Sequence, residues 1–211
     1  MGYYPIFLEL AGRPCVVIGG GQVAERKVEG LLTMGASVTV ISPALSAPLE
    51  ILAKEGRIRH AAREYGPGDL AGYQLAFVAT DDGEVNAAVA REGRERGVWV
   101  NAADDPAHCD FILPSALRRG ELVVAVATGG ASPALSRAIR EELEAYFTKD
   151  YAALAQVVAE VRRELRQRSR VPSAETWRKA LAAGLRQLIA EGKREEAKAH
   201  LLEQLGAGRW A

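Results

Sequence analysis

The chain has 211 residues, enough for one medium-sized domain and a smaller second one. Lys and Arg total 27, as do Asp and Glu, so no overall positive charge indicates a nucleic-acid or anionic membrane partner. Two cysteines are too few for a disulfide framework. The sequence shows no apolar run of about 18 residues and no signal-peptide pattern, so we predict a cytoplasmic protein without a membrane span.

The first predicted strand stops at three glycines. An apolar run from Pro14 to Ile18 precedes them, and apolar residues at helical spacing follow as far as Gly35. Gly19, Gly21 and Ala24 match the G-x-G-x-x-G/A fingerprint, in which glycines allow a tight turn and close approach to a pyrophosphate. We therefore predict a dinucleotide site, the alternative being a plain glycine-rich turn. Its residues are Gly19, Gly20, Gly21, Gln22, Val23 and Ala24.

Strands and helices then alternate. Strands are predicted at 37–41, 57–62, 74–79 and 98–101, and helices at 48–55 and 85–96. This order predicts an α/β fold, a Rossmann-like doubly wound parallel sheet whose strands end at one cofactor edge.

The second predicted strand lacks the acidic residue that usually binds the adenosine ribose of NAD. Its end carries Ile41, Ser42 and Pro43 instead. Ser42 can bond a ribose hydroxyl, but it neither requires NAD nor repels the phosphate of NADP. The spacing alone therefore leaves the choice between NAD and NADP open.

Polar residues follow the fourth and fifth strands. Thr80 and Asp81 lie on the cofactor edge, where Asp82 has the alternative role of capping the next helix. The stretch from Asn101 to Pro106 lies where a nicotinamide ring should arrive, and a carboxylate there could accept a proton. The alternative is an Asp-Pro turn.

His108, Cys109 and Asp110 are metal-ligand types, but adjacent side chains diverge, so we expect no metal site.

The pattern changes after Pro106. Strand-like runs at 111–117 and 122–127 flank a hairpin turn that includes Arg118 and Arg119, and Ser132 and Pro133 open a helix to about residue 147. A hairpin with one helix cannot bury both its faces, so it must pack on another part of the chain or on a second copy. The remaining residues predict further helices, with one apolar stripe from Trp177 to Ile189.

A second anion cradle is predicted at Thr128, Gly129 and Gly130, which precede that helix. Arg137 and Arg140 lie on the helix. Solvated surface is the default interpretation of all four arginines.

Together these motifs resemble the precorrin-2 dehydrogenase / sirohydrochlorin ferrochelatase family of sirohaem biosynthesis. The motifs occur in family order through about residue 147. They are Tyr4-Pro5-Ile6, the stretch from Gly19 to Lys27, Ala79 to Asp82, Asn101 to Pro106, Asp110 to Pro114, and Thr128 to Ala134. Ala102 and Ala103 depart from the pattern, since relatives usually carry bulkier valines there.

The resemblance implies that precorrin-2, a reduced polycarboxylate tetrapyrrole, loses a hydride to NAD+ and a proton to a base, giving sirohydrochlorin. The family's catalytic aspartate falls on Asp104. The substrate-binding residues implied are Thr128, Gly129, Gly130, Arg118, Arg119 and Arg137. A homodimer built through the hairpin and helix is also implied. Residues 1–112 are then the NAD-binding domain, 113–148 a small α+β dimerisation segment, and 149–211 an all-α C-terminal domain.

Two other activities remain open. Some relatives also insert Fe2+ into the product, and Asp104 could serve both steps, with His108 as a helper. A non-catalytic NAD(H)-sensing dimer is the alternative from another class of protein.

Overall fold

The computed structural model describes residues 2–103, 105–182 and 184–206. The chain divides into two compact units, residues 1–113 and 114–211. The division into three functional segments stays a prediction. In the part of the chain that the structure describes, no helix is long and apolar enough to cross a bilayer.

The first unit is a five-stranded parallel sheet with the strand order β3-β2-β1-β4-β5, which confirms the Rossmann-like prediction. Its elements are β1 (Pro14–Ile18), α1 (Gln22–Thr33), β2 (Ser37–Ile41), α2 (Ala47–Lys54), β3 (Arg59–Ala61), β4 (Leu75–Val78), α3 (Gly83–Arg96) and β5 (Trp99–Ala102). A single 3₁₀ turn at Pro106–His108 follows β5. The strand order reverses between β1 and β4, and ligands of such sheets bind outside the carboxyl ends of the strands at that point.

Alternating strand residues supply two apolar cores, one on each face of the sheet. Val17 and Phe77 pack with Val28 of α1 on one face, whereas Val16 and Val89 of α3 belong to the core on the other face. All four residues of β4 are buried, as expected for a strand covered on both sides. These cores hold the strand ends at fixed positions, and the loops at the carboxyl edge are mounted on them.

The second unit begins with an antiparallel hairpin followed by five helices in the described residues. The elements are β6 (Ser115–Arg119), β7 (Leu122–Val126), α4 (Pro133–Tyr146), α5 (Asp150–Gln167), α6 (Ala174–Ala182), α7 (Leu185–Ala190) and α8 (Arg194–Gln204). Its own core is formed by side chains of α5, α6, α7 and α8, among them Val161, Leu185 and Leu201.

One prediction about this second unit is wrong. The strand predicted at 111–117 begins only at Ser115, so Arg118 and Arg119 lie in β6 and not in the turn, where Gly120 has φ +59°. Phe111, which precedes β6, packs in the core of the first unit instead, where its ring lies edge-on against Phe77. The apolar stripe from 177 to 189 lies on two helices, α6 and α7, with Gly184 at φ +68° before α7, and its residues Leu185 and Ile189 are part of the core, as predicted.

Candidate functional site

The turn between β1 and α1 is held against two neighbouring loops. Gly19 has φ +109°, and a Cβ on it would lie 2.3 Å from the carbonyl oxygen of Ala79. A Cβ on Gly20 would lie 2.0 Å from the carbonyl oxygen of Ala44. The backbone of this protein therefore requires glycine at both positions, whatever the turn binds.

Gly21 differs from its two neighbours. A Cβ on it would meet nothing within 4 Å, so the space beside it is open. Gly21 is the N-cap of α1, and no side chain caps this helix end. Free N–H groups and the positive end of the helix dipole make such an end suitable for a phosphate. Gln22 is exposed beside it, Val23 is half-buried, and Ala24 is fully buried in the core, as its role in helix–strand packing predicts.

The loop after β2 is internally bonded. Ser42 is 8 % exposed, and its Oγ donates to the carbonyl oxygen of Ala44 over 2.7 Å. Nε2 of His60 donates to the Ser42 carbonyl over 2.9 Å. The only hydroxyl proton of Ser42 is thus already used within the loop, which leaves its oxygen as an acceptor.

A cavity of about 590 Å³ opens beside this loop. Pro43 and Leu45 contribute apolar walls, and Lys54 and His60 contribute polar groups. No sequence motif pointed to Lys54 or His60 as site residues. The only signal for His60 was its position near the end of a predicted strand. An apolar pocket with a few polar groups at the end of β2 suits the adenosine end of a dinucleotide.

At the end of β4, Asp82 caps α3. Its Oδ1 accepts hydrogen bonds from the backbone N–H groups of Glu84 and Val85, at 2.9 and 3.2 Å. The alternative interpretation of Asp82 as a helix cap is therefore confirmed. Thr80 accepts a hydrogen bond from the Asp82 N–H over 3.2 Å, while Asp81 is exposed on the edge of the sheet.

Asn101 at the end of β5 is buried and bonded to the protein itself. Its Nδ2 donates to the carbonyl oxygen of Phe111 over 2.9 Å, and its Oδ1 accepts from Nζ of Lys27 over 3.4 Å. Lys27 also lies 5.6 Å from the centre of the Phe77 ring. Asn101 was predicted to bind the cofactor, and the contacts seen here give it a structural role in joining β5 to α1.

Asp104, the predicted base, lies outside the described residues. Its neighbour Asp105 is bonded to Nδ1 of His108 at 2.6 Å, and Nδ2 of Asn86 approaches the same carboxylate at 3.5 Å. The hydrogen bond from His108 lowers the pKa of Asp105 below its ordinary value. A carboxylate paired with an imidazole thus lies just beyond β5, and no sequence motif pointed to this pair.

Cys109 and Asp110 turn to other partners. The Cys109 thiol donates to the Ala102 carbonyl over 3.1 Å, and burial raises the pKa of this thiol. Asp110 pairs with the backbone of Val100 through both its N–H and its carboxylate, each at 2.8 Å. Among the described residues, no three potential ligands of the His, Cys, Asp and Glu types group as a metal site would need.

In the second unit, Thr128 organises the loop before α4. Its hydroxyl donates to the Ser132 carbonyl and accepts from the Ser132 N–H, each over 3.0 Å. Gly129 and Gly130 have φ values of +63° and +88°, and a Cβ on either would meet nothing within 4 Å. The threonine hydroxyl shapes the loop, while the two glycines present open backbone.

The arginines of this unit differ in how fully they are engaged. Nε of Arg119 donates to the Phe147 carbonyl at the end of α4 over 2.7 Å, and Arg140 pairs with Glu141 and Glu144. Arg118 and Arg137 are exposed. These two are therefore better placed than Arg119 to meet an external anion.

Comparisons with known proteins agree with this geometry. A family model described as "Putative NAD(P)-binding" matches residues 6–115, and one described as sirohaem biosynthesis protein central matches residues 119–146. Siroheme synthases of Methylobacillus flagellatus and Methylococcus capsulatus are 42% and 41% identical over 207 and 209 residues, which cover 97% and 98% of this chain. The matches cover 44% of either relative, so the chain spans less than half the length of these curated proteins.

A solved structure of a precorrin-2 dehydrogenase is also similar to this chain. The structure titled "SirC, precorrin-2 dehydrogenase" superposes with a TM-score of 0.74 at 28% sequence identity. The match covers 97% of this chain and 100% of that one.

Proposed function

This chain belongs to the NAD(P)-binding family, within the sirohaem-biosynthesis group that the sequence resemblance indicated, and we propose that it is an NAD-dependent dehydrogenase that oxidises precorrin-2 to sirohydrochlorin. The observation that carries the proposal is the open space at Gly21 before the uncapped N-terminus of α1. The protein itself does not need a glycine there, whereas a pyrophosphate does.

The residues of the first unit fit a dinucleotide. The N–H groups at the start of α1 bind the pyrophosphate, and the cavity beside Pro43 takes the adenosine end. When bound, NAD+ supplies the hydride acceptor. Asp104 takes the proton released by the substrate, as the resemblance implies. The preference for NAD over NADP also rests on the resemblance, since Ser42 at the end of β2 is compatible with either.

Residues of the second unit bind the carboxylates of the substrate in this proposal. Gly129 and Gly130 offer open backbone next to the N-terminus of α4. Arg118 and Arg137 supply the exposed positive charge that a polycarboxylate needs from a protein of zero net charge. Arg119 contributes by holding the end of α4.

A homodimer built through the hairpin is part of the proposal. β6 and β7 form a two-stranded sheet, and of its ten residues only Leu117 is buried. Helices α4 and α5 pack against this sheet but leave most of its residues uncovered, so a second copy pairing with this segment would stabilise it further. Sedimentation equilibrium of the full chain tests this part, and a purely monomeric chain would contradict it.

The test of the activity is an anaerobic incubation of the full chain with precorrin-2 and NAD+. Absorbance should show NADH and the oxidised macrocycle rising together, and more slowly with NADP+. Asp104→Asn should keep dinucleotide affinity and lose most turnover. Glu95→Gln, an exposed change on α3, is the matched control and should behave like the unmodified chain. Dinucleotide binding without any oxidation would favour the NAD(H)-sensing alternative instead.

The ferrochelatase alternative stays a prediction. Incubation of sirohydrochlorin with Fe2+ in the same preparation, against a reaction without protein, tests it.

A further inference from the structure

Asp105 and His108 form a pair that the proposed function does not use. The 3₁₀ turn that follows β5 places them three residues apart, and the His108 N–H donates to the Asp105 carbonyl over 3.1 Å. The side chains meet at 2.6 Å between Nδ1 and Oδ2. Asn86 of α3, which is 6 % exposed, approaches the same Oδ2. The carboxylate is therefore held from two sides.

This contact fixes which nitrogen of His108 carries the proton. An ionised carboxylate can only accept hydrogen bonds, so Nδ1 must be the donor. The lowered pKa of Asp105 keeps its carboxylate ionised at neutral pH. The neutral imidazole then has a lone pair on Nε2, and the side chain is 30% exposed, so a proton can reach that atom.

The pair lies near the end of the sheet where, in the proposed function, the substrate releases a proton. In this sheet order, the nicotinamide end of a dinucleotide lies toward the carboxyl ends of β4 and β5. We propose that His108 is a proton-transfer residue of the dehydrogenase and that Asp105 is its positioning residue. The inference rests on the proposed function.

The step balances without a further reactant. Oxidation removes a hydride and a proton from the substrate, and the hydride leaves with the bound dinucleotide. Asp104 takes that proton first, as in the proposed function; Nε2 of His108 then accepts it from Asp104, and the imidazolium formed is stabilised by the Asp105 carboxylate. The imidazolium then releases the proton to water, which restores the neutral Nδ1–H form for the next turnover.

The first test reads the protonation of the ring and needs no substrate. The chain has three histidines, so ¹⁵N-edited NMR spectra of the imidazoles are simple to assign. At a pH where the rings are neutral, His108 should be protonated on Nδ1, and His60, which donates from Nε2 to a carbonyl, should be the opposite tautomer. Asp105→Asn should shift His108 toward a mixture of both forms. Nε2-protonated His108 in the unmodified chain would overturn the inference.

The second test is kinetic and uses the full chain. His108→Gln keeps a hydrogen-bond donor near Asp105 but cannot carry a proton, and it should lower kcat about 10²-fold with little change in dinucleotide affinity. His108→Ala should lose a similar factor, and added imidazole should restore part of it. His200→Gln on α8 is the matched control and should retain full turnover.

The outcomes separate the two proposals. An unmodified chain that never oxidises precorrin-2 contradicts the proposed function. An active chain whose His108→Gln variant turns over at the unmodified rate contradicts only the role of His108.

Discussion

At the scale of single residues, the three glycines between β1 and α1 are glycines for different reasons. Gly19 and Gly20 lie against the carbonyl oxygens of neighbouring loops, so the fold excludes a side chain there. Gly21 borders open space, so the fold itself does not exclude a side chain there. The fingerprint in the sequence treats its positions alike, and this difference becomes visible only once the neighbouring loops are placed.

We therefore predict that alanine at Gly21 mainly weakens dinucleotide binding, whereas alanine at Gly19 mainly destabilises the fold. Gly21→Ala should lower the free energy of unfolding by about 1 kcal/mol or less, the cost of alanine at an N-cap, and weaken NAD+ binding by at least roughly tenfold. Gly19→Ala should destabilise the fold by more than that, because it combines a positive φ with a 2.3 Å approach to backbone. Urea unfolding and dinucleotide titration measure the two effects. Unchanged NAD+ affinity in Gly21→Ala would contradict the site.

Glu92 is a buried carboxylate that the sequence did not single out. It accepts hydrogen bonds from Tyr65, from the N–H groups of Gly68 and Leu70, and from Arg96. Burial alone would raise the pKa of Glu92, but these donors outweigh burial, and the pKa is lowered from its ordinary 4.5. Glu92 thereby attaches the segment before β4 to α3.

Glu92→Gln should lower the free energy of unfolding by about 2 kcal/mol at pH 7, because the amide cannot satisfy all the donors. A lowered pKa stabilises the fold above the unfolded-state pKa, and that contribution is lost as the pH falls through the folded-state value. The difference between the two proteins should therefore shrink below about pH 4.5. Urea unfolding across this range measures it. A difference that stays constant would contradict the ionised state of Glu92.

Polar atoms at the edge of the sheet show where residue patterns stop being informative. Ser42 and Asn101 stand at strand ends, which the sequence could predict from apolar runs. Whether their hydrogen-bonding groups are free for a ligand depends on the conformation of the loop at Ala44 and on Phe111 and Lys27, which the fold brings to Asn101. The sequence therefore predicted where these two residues lie, but not whether their hydrogen-bonding groups are already used within the protein.

At the scale of secondary-structure elements, the sequence predicted most of the first unit because its local signals agree with one another. β2 has the predicted bounds, and α3 ends where Gly97 adopts a left-handed conformation. The apolar run at 111–114 has the composition of a strand, but Phe111 packs on Phe77 instead. Periodicity reports that a residue is buried, and it does not tell which neighbour buries it.

Where α3 packs on β5, replacing a helix glycine by alanine should destabilise the fold, contrary to its usual effect. Replacing glycine by alanine inside a helix usually stabilises it by about 1 kcal/mol. At Gly93, however, a Cβ would lie 2.4 Å from Cγ2 of Val100 and 2.9 Å from the carbonyl oxygen of Val98. Because such overpacking costs roughly 1–3 kcal/mol, Gly93→Ala should destabilise the fold on balance.

Gly30 of α1 is the matched control. It is exposed, and a Cβ on it would meet nothing within 4 Å. Gly30→Ala should therefore raise the free energy of unfolding by up to about 1 kcal/mol. Chemical denaturation of both variants checks the pair, and a stabilising Gly93→Ala would show that α3 can move away from β5.

At the scale of the whole molecule, each compact unit has its own core. The sheet of the first unit carries two apolar clusters, and the helices of the second unit enclose a third. The residues that fit a dinucleotide all belong to the first unit, whereas the Thr128 loop and the exposed arginines belong to the second. The end of strand–helix alternation predicted a change of pattern after Pro106, and the two compact units divide after residue 113.

Dinucleotide binding should therefore stabilise one unit in particular. A ligand at about 100 times its Kd stabilises the state that binds it by about 2.7 kcal/mol. Hydrogen exchange followed by mass spectrometry along a urea series reports unfolding separately for peptides of each unit. With NAD+ present, peptides from residues 1–113 should unfold at higher urea, and those from 114–211 should change less. Gly21→Ala should abolish most of that shift at the same NAD+ concentration. Equal shifts in both units would mean that the chain unfolds as one cooperative body, and a shift confined to the second unit would place the nucleotide elsewhere.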